Sequence, residues 1–243
     1  LGQLIYFAKL NTTSSLSVTV IIPAYNEEDS IAKVIKEIPS LVNEIIVVNN
    51  CSTDKTATVA ATAGATVLDE NRMGYGYACL KGIEHAARQQ SPPEVVVFLD
   101  GDFSDYPVEL IKIIAPIQNN EVDFVVGARV KELREEGSMT PQQIFGNWLA
   151  CFLMKGLFNS TFTDLGPFRA IKWETLQSLK MSDKTYGWTV DMQLKVLRQK
   201  ISYQEIPVSY KKRIGFSKVS GTIKGTIFAG AKIIGWIFKH YIS

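Results

Sequence analysis

The sequence predicts an α/β fold, a mostly parallel sheet flanked by helices, and three observations support this prediction. Short apolar runs alternate with helical patterns through the first half of the chain. Polar and acidic residues follow several of these runs, at the strand ends where open parallel sheets bind ligands. The 243 residues suffice for one large domain with a real core. This alternation is typical of parallel strands covered by helices on both faces.

Six apolar segments are predicted to be strands: residues 18–22, 45–48, 66–68, 95–99, 124–126 and 202–208. Helices are expected between them, over about 28–38, from 54, over 74–88 and over 107–117. A charged loop at 131–140 precedes an all-round apolar stretch at 144–158. We expect an N-terminal extension (1–17), a main domain (18–220) and a C-terminal amphipathic segment (221–243).

The composition argues against several functions. The net charge of +2 and pI near 8.3 are too mild to indicate nucleic-acid binding. Three widely separated cysteines form no zinc pattern and indicate a reducing compartment. His85 and His240 lie far along the chain from the acidic motif, which argues against a His-based triad or a His-ligated metal. The sequence has no uninterrupted run long enough to span a bilayer.

The acidic motif of Asp100 and Asp102 follows the apolar run 95–99 directly, and Asp105 comes three residues later. Carboxylates this close repel one another unless a cation joins them, and their oxygens suit Mg²⁺ or Mn²⁺. Such an ion completes its shell with water and substrate phosphates. The alternative is a polar loop in which Asp105 caps a helix that starts at Pro107.

Polar residues also follow the first two predicted strands. IIPAYNEE (21–28) places Asn26 and Glu27 at a helix start, which favours anions and polar ligands, although capping by Asn26 is a simpler alternative. VVNNCSTDKT (47–56) crowds five polar residues together: Asn49, Asn50, Ser52, Thr53 and Asp54. One helix cap does not account for five such residues, whereas a base-and-ribose pocket would use them as donors and acceptors.

A glycine-containing segment follows the third predicted strand. Gly74 and Gly76 permit close approach of the backbone to a ligand, and Arg72 is a candidate phosphate contact. The segment is not a Walker loop, because its glycine spacing and the Lys-Ser/Thr pair are missing.

These four segments, in this order, resemble family 2 glycosyltransferases over roughly residues 18–129. The resemblance implies a GT-A fold, a single nucleotide-sugar-binding domain with an Asp-x-Asp metal motif. It places Asp102 on the metal and Asp100 near both the ribose and the metal. The implied nucleotide-sugar residues are Pro23, Ala24, Tyr25, Glu27, Asn50, Arg72, Gly74, Asp100 and Arg129. One departure is Asn49-Asn50-Cys51 where the family has Asp-Asp-Gly; an amide still bonds a base edge but carries no charge.

The basic segment 206–222 looks like the Arg-x-Gly-x-Ser-Lys segment of polyprenyl-phosphate glycosyltransferases, such as dolichol-phosphate mannose and glucose synthases. The stretch DLGPFRAI, with Asp164, resembles a further part of that branch. The resemblance implies an acceptor-phosphate site at Arg169, Arg213, Ser217 and Lys218. A solvated surface loop is the alternative, but Ser and Gly between cations favour a phosphate site.

The charge of the acceptor decides which catalytic groups are needed. A phosphomonoester has its second pKa near about 6, so it is already anionic and needs cations rather than a base. Arg213 and Lys218 are candidates for this catalytic role. A hydroxyl acceptor requires a general base instead, and Asp191 is the first candidate and Asp164 the second.

The tail from 222 to 242 has the layout of a helix lying in a membrane interface. Lys224, Lys232 and Lys239 fall on one side, apolar residues form a broad opposite arc, and Trp236 lies off that arc. Packing on the domain's own core is the alternative. The stretch 144–158 has the same two interpretations. We therefore expect a protein bound peripherally to the cytoplasmic face of a membrane.

The sequence thus predicts an inverting, metal-dependent transferase that moves a sugar from a nucleotide-diphosphate sugar to a polyprenyl phosphate such as dolichyl or undecaprenyl phosphate. One alternative is a family 2 enzyme with a hydroxyl acceptor and Asp191 as base. Another is a non-catalytic nucleotide-sugar-binding protein at a membrane. A nucleotidyltransferase is a third, which leaves the basic segment without a role.

Overall fold

A computed structural model describes residues 16–215 and 223–242, with side chains in the last helix described from residue 230. The strands are β1 (Val18–Ala24), β2 (Glu44–Asn49), β3 (Thr66–Asp69), β4 (Val95–Phe98), β5 (Phe124–Ala128), β6 (Arg169–Lys172) and β7 (Tyr203–Pro207). The helices are α1 (Ile31–Glu37), α2 (Thr56–Thr62), α3 (Tyr75–Ala87), α4 (Leu110–Gln118), α5 (Pro141–Phe158), α6 (Trp173–Leu179), α7 (Trp188–Arg198) and α8 (Ile223–Ile242).

The seven strands form one sheet in the order β3-β2-β1-β4-β6-β5-β7. The predicted α/β class is confirmed, and the six predicted strands are all present. β6 was not predicted, and it runs antiparallel to both β4 and β5. Its sequence, Arg-Ala-Ile-Lys, has a charged residue at each end and so lacks the apolar run by which the other buried strands are recognised.

Two apolar layers cover the sheet, and the central strands are therefore buried on both faces. On one face, Phe98 of β4 makes an edge-on ring contact with Trp188 of α7, at 5.8 Å between ring centroids. On the other face, Ile22 of β1 belongs to a cluster with Ile31 of α1 and Leu110 of α4. Each fully buried side chain of this size contributes about 1.5–3 kcal/mol, so the two layers hold the strand ends rigidly.

α5 is buried along one side only. Its start is fixed by a capping box in which Thr140 and Gln143 exchange side-chain and backbone hydrogen bonds. Ala150, Cys151 and Met154 face the core. Phe145, Trp148 and Phe152, the α5 aromatic strip hereafter, are each more than half exposed, at 61%, 56% and 60%.

α8 packs against α5 and α7. Ile237 is fully buried there, as expected for a helix packed on the domain's core, whereas Phe238 and Tyr241 are about half exposed. The predicted boundary at 220/221 lies outside the described residues. Within residues 16–215 and 223–242, the structure contains no helix with the length and hydropathy needed to cross a membrane.

Candidate active site

The carboxyl ends of β1, β2 and β4 meet at one edge of the sheet, since these strands are parallel neighbours. A residue just beyond each strand has a left-handed backbone: Asn26 (φ 54°), Cys51 (φ 63°) and Phe103 (φ 62°). Such conformations in residues other than glycine cost about 1–3 kcal/mol and cluster at functional sites. Three at one edge mark it as the candidate site.

Asp102 lies at this edge with its two oxygens in different surroundings. Oδ1 accepts hydrogen bonds from the backbone N–H and the hydroxyl of Ser104. Oδ2 pairs with the guanidinium of Arg213 at 3.1 Å, and the same guanidinium reaches Glu27 Oε1 at 3.2 Å. The backbone N–H of Ile214 donates to the Asp102 carbonyl at 2.9 Å. Arg213 and Ile214, in the described part of the basic segment, therefore contact the acidic motif directly.

Asp100 accepts a hydrogen bond from the hydroxyl of Tyr75 at 3.0 Å. Burial, followed by the neighbouring charge of Asp102, raises the pKa of Asp100 to about 7. A bound cation would relieve both effects, so the two carboxylates fit a hard divalent ion. Among residues 16–215 and 223–242, no group of three or more acidic, His or Cys side chains is arranged so that it could hold a metal ion. An ion held by this pair would therefore take further ligands from water or phosphate.

Asp105 is buried and does not act as the helix cap that the simpler interpretation of the motif requires. The 3-10 turn before α4 begins at Pro107 without any side-chain cap. Neither carboxylate oxygen of Asp105 has a hydrogen-bond partner among the described residues. Burial, and then the charges of Asp100 and Asp102, raise the pKa of Asp105 well above its usual range.

Asn50, a predicted nucleotide contact, holds the protein's own backbone at this edge. Its amide N–H groups donate to the carbonyls of Glu70 (3.0 Å) and Arg72 (2.8 Å). Its Oδ1 accepts from the N–H of Gly74 at 2.8 Å. A carboxylate could not donate these bonds, so this geometry explains why an amide stands where the family pattern has Asp.

The polar residues after β1 and β2 bind one another across the two loops. Asn26 accepts from the N–H of Thr53 (2.8 Å), and the hydroxyl of Thr56 accepts from the N–H of Glu27 (2.8 Å). These bonds account for much of the polar crowding that suggested a base-and-ribose pocket. Three predicted nucleotide residues lie at the end of β1 or just beyond it: Pro23, Ala24 and Tyr25.

Arg72 and Gly74 precede α3, and their described contacts are with other residues of the protein. Arg72 binds Glu70 with two nitrogens, at 2.8 Å each, and lies 4.4 Å from the ring centroid of Tyr77. The hydrogen bonds from Arg72 lower the pKa of Glu70 to about 2. Gly74 has φ 151°, and a Cβ there would overlap the carbonyl oxygen of Lys184. The close approach predicted for a ligand is thus made by residue 184.

Arg129, after β5, forms a two-pronged pair with Asp164, at 2.8 and 2.7 Å. Burial alone would raise the pKa of Asp164, but the charge and hydrogen bonds of Arg129 hold it below its usual value. Asp164 is therefore an ion-pair partner rather than a poised base. The Arg129 guanidinium also lies 5.2 Å from the ring centroid of Tyr210, whose backbone bridges to Asp105.

Arg169 is fully buried, which argues against its predicted contact with an acceptor phosphate. Its guanidinium donates to the carbonyls of Thr189 (3.0 Å), Leu165 (3.3 Å) and Gly166. Burial lowers the pKa of Arg169 to about 10. These contacts give Arg169 a structural role beneath the site.

Asp191 is likewise fully buried, in the first turn of α7. His240 of α8 contacts its Oδ1 at 2.9 Å, and Lys195 pairs with its Oδ2 at 3.2 Å. With both oxygens engaged inside a helix interface, Asp191 has no open face toward an acceptor hydroxyl. Ser217 and Lys218, the other predicted acceptor residues, lie outside the described residues.

A cavity of about 560 Å³ opens beside Arg129, between the loop after β5 and α5. Its charged lining residues are four cations, Arg129, Lys131, Arg134 and Lys155, and two acids, Glu132 and Asp164. Its apolar lining includes Met139, Ile144, Trp148, Phe152 and Phe162. The sequence did not predict this cavity, because its two walls are brought together only by the packing of α5 against the sheet.

Comparison with known proteins places these observations in context. The model of the family described as glycosyl transferase family 2 matches residues 19–179. An uncharacterised glycosyltransferase of Mycobacterium tuberculosis is 32% identical over 216 residues, covering 88% of this chain and 94% of the relative. The dolichyl-phosphate hexose transferase of Haloferax volcanii is 29% identical, with 89% and 90% covered. The undecaprenyl-phosphate mannosyltransferase of Micrococcus luteus is 26% identical, with 86% and 90% covered.

Among solved structures, glucosyl-3-phosphoglycerate synthase from M. tuberculosis, crystallised with Mn²⁺, UDP and glucosyl-3-phosphoglycerate, has a similar fold. The TM-score is 0.74 at 21% identity, with 93% of this chain and 80% of that chain covered. This likeness shows a shared fold and confirms the predicted architecture.

Proposed function

Because the chain belongs to glycosyl transferase family 2, we propose that it is an inverting hexosyltransferase with a polyprenyl phosphate as acceptor. Two of its relatives are named as transferases that act on dolichyl phosphate and undecaprenyl phosphate. The donor is a nucleotide-diphosphate sugar, linked to UDP or GDP.

The cavity beside Arg129 is the observation that carries this proposal. A polyprenyl phosphate has a doubly charged head and a long apolar chain, and the cavity combines cationic residues with an apolar wall. Arg129 connects the cavity to the acidic edge through Tyr210 and Asp105. A lipid phosphate in the cavity would thus lie beside the donor site.

The chemistry requires no general base. An anionic phosphate oxygen attacks the anomeric carbon, and the bond to the nucleoside diphosphate breaks with its electron pair going to the leaving group. The transition state has oxocarbenium character, and attack from the opposite face inverts the anomeric centre. Arg213 would offset the repulsion between the two phosphate groups, together with Lys218 from outside the described residues.

Asp100 and Asp102 are the proposed ligands of a divalent cation, Mg²⁺ or Mn²⁺. When bound, such an ion stabilises the leaving diphosphate as a Lewis acid. Tyr75 orients the first carboxylate, and the Ser104 hydroxyl and N–H orient the second. Pro23, Ala24, Tyr25 and Glu27 stay proposed nucleotide contacts by their place at the same edge.

We further propose a peripheral position on the cytoplasmic face of a membrane. The rings of the α5 aromatic strip are neighbours, with centroids 5.8 Å apart for Phe145–Trp148 and 5.6 Å for Trp148–Phe152. Exposed aromatic side chains of this kind favour the interface between lipid and water. Trp148 and Phe152 also line the cavity, so a lipid chain could enter directly from the bilayer.

We favour a phosphate over a hydroxyl acceptor, because the two candidate bases are engaged elsewhere: Asp191 is fully buried in a helix interface and Asp164 is paired with Arg129. The non-catalytic alternative is disfavoured by the family membership and by the intact pair of carboxylates at the sheet edge.

A transfer assay tests the proposal. Purified protein, Mn²⁺ and radiolabelled UDP- and GDP-sugars are mixed with undecaprenyl or dolichyl phosphate in detergent, and label is counted in an organic extract. The proposal predicts label in the organic phase for the wild type. The variant with Lys131→Ala and Arg134→Ala should transfer about tenfold less, while donor hydrolysis stays unchanged.

Arg88→Ala is the matched control, since Arg88 is an exposed surface cation at the C-terminal end of α3. Donor hydrolysis without organic-phase label in the wild type would refute the lipid-phosphate acceptor and keep the glycosyltransferase. Equal transfer by the cavity variant and the control would remove the cavity as the acceptor site.

A further inference from the structure

We propose that Asp183 is a positioning residue of the donor site, through which α8 fixes the first turn of α3. Asp183 lies in the segment 183–185, just before α7, and no part of the predicted machinery includes it. The inference rests on the donor site proposed above. It adds to that site a segment that is distant along the chain from the acidic motif.

The first link joins Asp183 to α8. Asp183 is 3% exposed, and its Oδ2 accepts a hydrogen bond from the indole N–H of Trp236 at 2.8 Å. The same oxygen pairs with the Lys232 ammonium at 2.8 Å. Its Oδ1 accepts from the N–H of Thr185 at 2.7 Å, which fixes the direction of the segment. Charged hydrogen bonds of this kind are short and strong when water is excluded.

The second link joins the segment to α3. The Lys184 carbonyl accepts a hydrogen bond from the N–H of Tyr77 at 3.1 Å. A Cβ at Gly74 would overlap the backbone carbonyl oxygen of Lys184, and a Cβ at Gly76 would overlap the backbone carbonyl oxygen of Asp183. The backbone of the segment therefore fits against both glycines, and any shift of the segment is transmitted to the turn they form.

The third link joins α3 to the acidic motif. Tyr75 lies between the two glycines, and its hydroxyl donates to Asp100 Oδ1 at 3.0 Å. Gly74 is also held by Asn50, the residue that follows β2, through a hydrogen bond from the Gly74 N–H. A displacement of about 1 Å at a reacting site can cost about a hundredfold in rate, so contacts that fix Tyr75 bear on the function of Asp100.

Asp191 provides a matched control within the same protein. It too is a buried carboxylate that ties α7 to α8, through His240 at 2.9 Å. Its described contacts are Lys195 and His240, both in helices, whereas Asp183 leads into a segment that contacts α3. Loss of either carboxylate weakens the attachment of α8, but only loss of Asp183 releases the first turn of α3.

The experiment measures UDP binding in the presence of Mn²⁺ by calorimetry, and thermal unfolding of the same samples. Asp183→Asn should weaken UDP binding about tenfold, as removal of outer positioning partners commonly does. Asp191→Asn should lower the unfolding temperature at least as much while its UDP affinity stays at the wild-type value. Should Asp183→Asn fail to fold, Trp236→Phe removes one hydrogen bond and is expected to give a smaller loss in the same direction.

A double-mutant cycle tests the proposed route. If Asp183 acts through Tyr75, then Asp183→Asn combined with Tyr75→Phe binds UDP no more weakly than Tyr75→Phe alone. Fully additive losses, or equal UDP affinities for Asp183→Asn and Asp191→Asn, would overturn the inference. If the wild type binds GDP in place of UDP, the same variants are compared with GDP; a wild type that binds neither nucleotide would refute the donor site itself, which is a distinguishable result.

Discussion

Two buried aspartates occupy different parts of this protein and have different partners. Asp102 at the sheet edge and Asp191 in α7 are both nearly inaccessible, with side-chain exposures of 8% and 0%. The cation on Asp102 is Arg213, which is 28% exposed and lies on a loop. The partners of Asp191 are held within helices, with 15% exposure for Lys195 and 8% for His240. Burial alone therefore does not distinguish the two carboxylates, whereas the exposure of their partners does.

The most direct test of this comparison is to neutralise each carboxylate in turn. Asp102→Asn should lower Mn²⁺-dependent UDP affinity by at least about a hundredfold, because it removes a proposed metal ligand. Asp191→Asn should leave that affinity unchanged and cost about 3 kcal/mol of unfolding free energy, because it breaks an ion pair whose carboxylate is fully buried. Calorimetry and urea unfolding measure the two quantities. The opposite pattern would exchange the roles assigned to the two sites.

Replacing the exchangeable cation tests the same comparison from the other side. Arg213 occupies Oδ2 of Asp102, so Arg213→Ala should raise the Mn²⁺ affinity of the free protein roughly fivefold, as expected for a partly exposed pair worth about 1 kcal/mol. Transfer to a lipid phosphate should fall all the same, because the acceptor loses a cation. Manganese titration followed by electron paramagnetic resonance measures the affinity.

Arg213→Lys serves as the control, since it keeps the charge but not the two-pronged geometry. Its Mn²⁺ affinity should lie between those of wild type and Arg213→Ala. Wild-type affinity in Arg213→Ala would show that the guanidinium does not compete with the metal.

The smallest predicted effect is a pH dependence at Asp100. Its pKa is raised from 3.8 to about 7 by burial and by Asp102, so the folded state favours the protonated form. The stabilisation that Asp100 contributes to the folded state is fully present below about pH 4 and is lost as pH rises through 7. Mn²⁺ requires the ionised form, so its stabilising effect should grow between pH 6 and pH 8. Melting temperatures with and without Mn²⁺ measure this, and Asp100→Asn should abolish the increase.

The fold could be predicted largely from local pattern, and the exceptions have physical causes. The six predicted strands are apolar segments, and apolar runs are visible in one dimension. β6 escaped prediction because Arg169, its first residue, becomes buried only in the folded chain, where its guanidinium donates to the carbonyls of Thr189, Leu165 and Gly166. An arginine satisfied in this way does not differ in sequence from one that binds a phosphate.

The residues of the candidate site also divide into those that local sequence pattern predicts and those that it does not. Asp100, Asp102 and Arg213 were predicted from motif and charge, and the structure brings them to one edge. Asp183 and Tyr75 were missed, although Gly74 and Gly76 gave a signal of close approach. The sequence could not show that the approaching group is the backbone of segment 183–185 rather than a ligand.

The sequence by itself determined the alternation of strands and helices, the family, and the acidic motif at the end of β4. Each of these depends on residues that are adjacent along the chain, where hydrophobic period and spacing act directly. Only the tertiary structure decided which charged side chains are sealed, as Asp191 and Arg169 are, and which face a replaceable partner, as Asp102 does. Burial and ion pairing depend on residues up to 186 positions apart, as in the pair of Glu27 with Arg213. No local pattern carries that information.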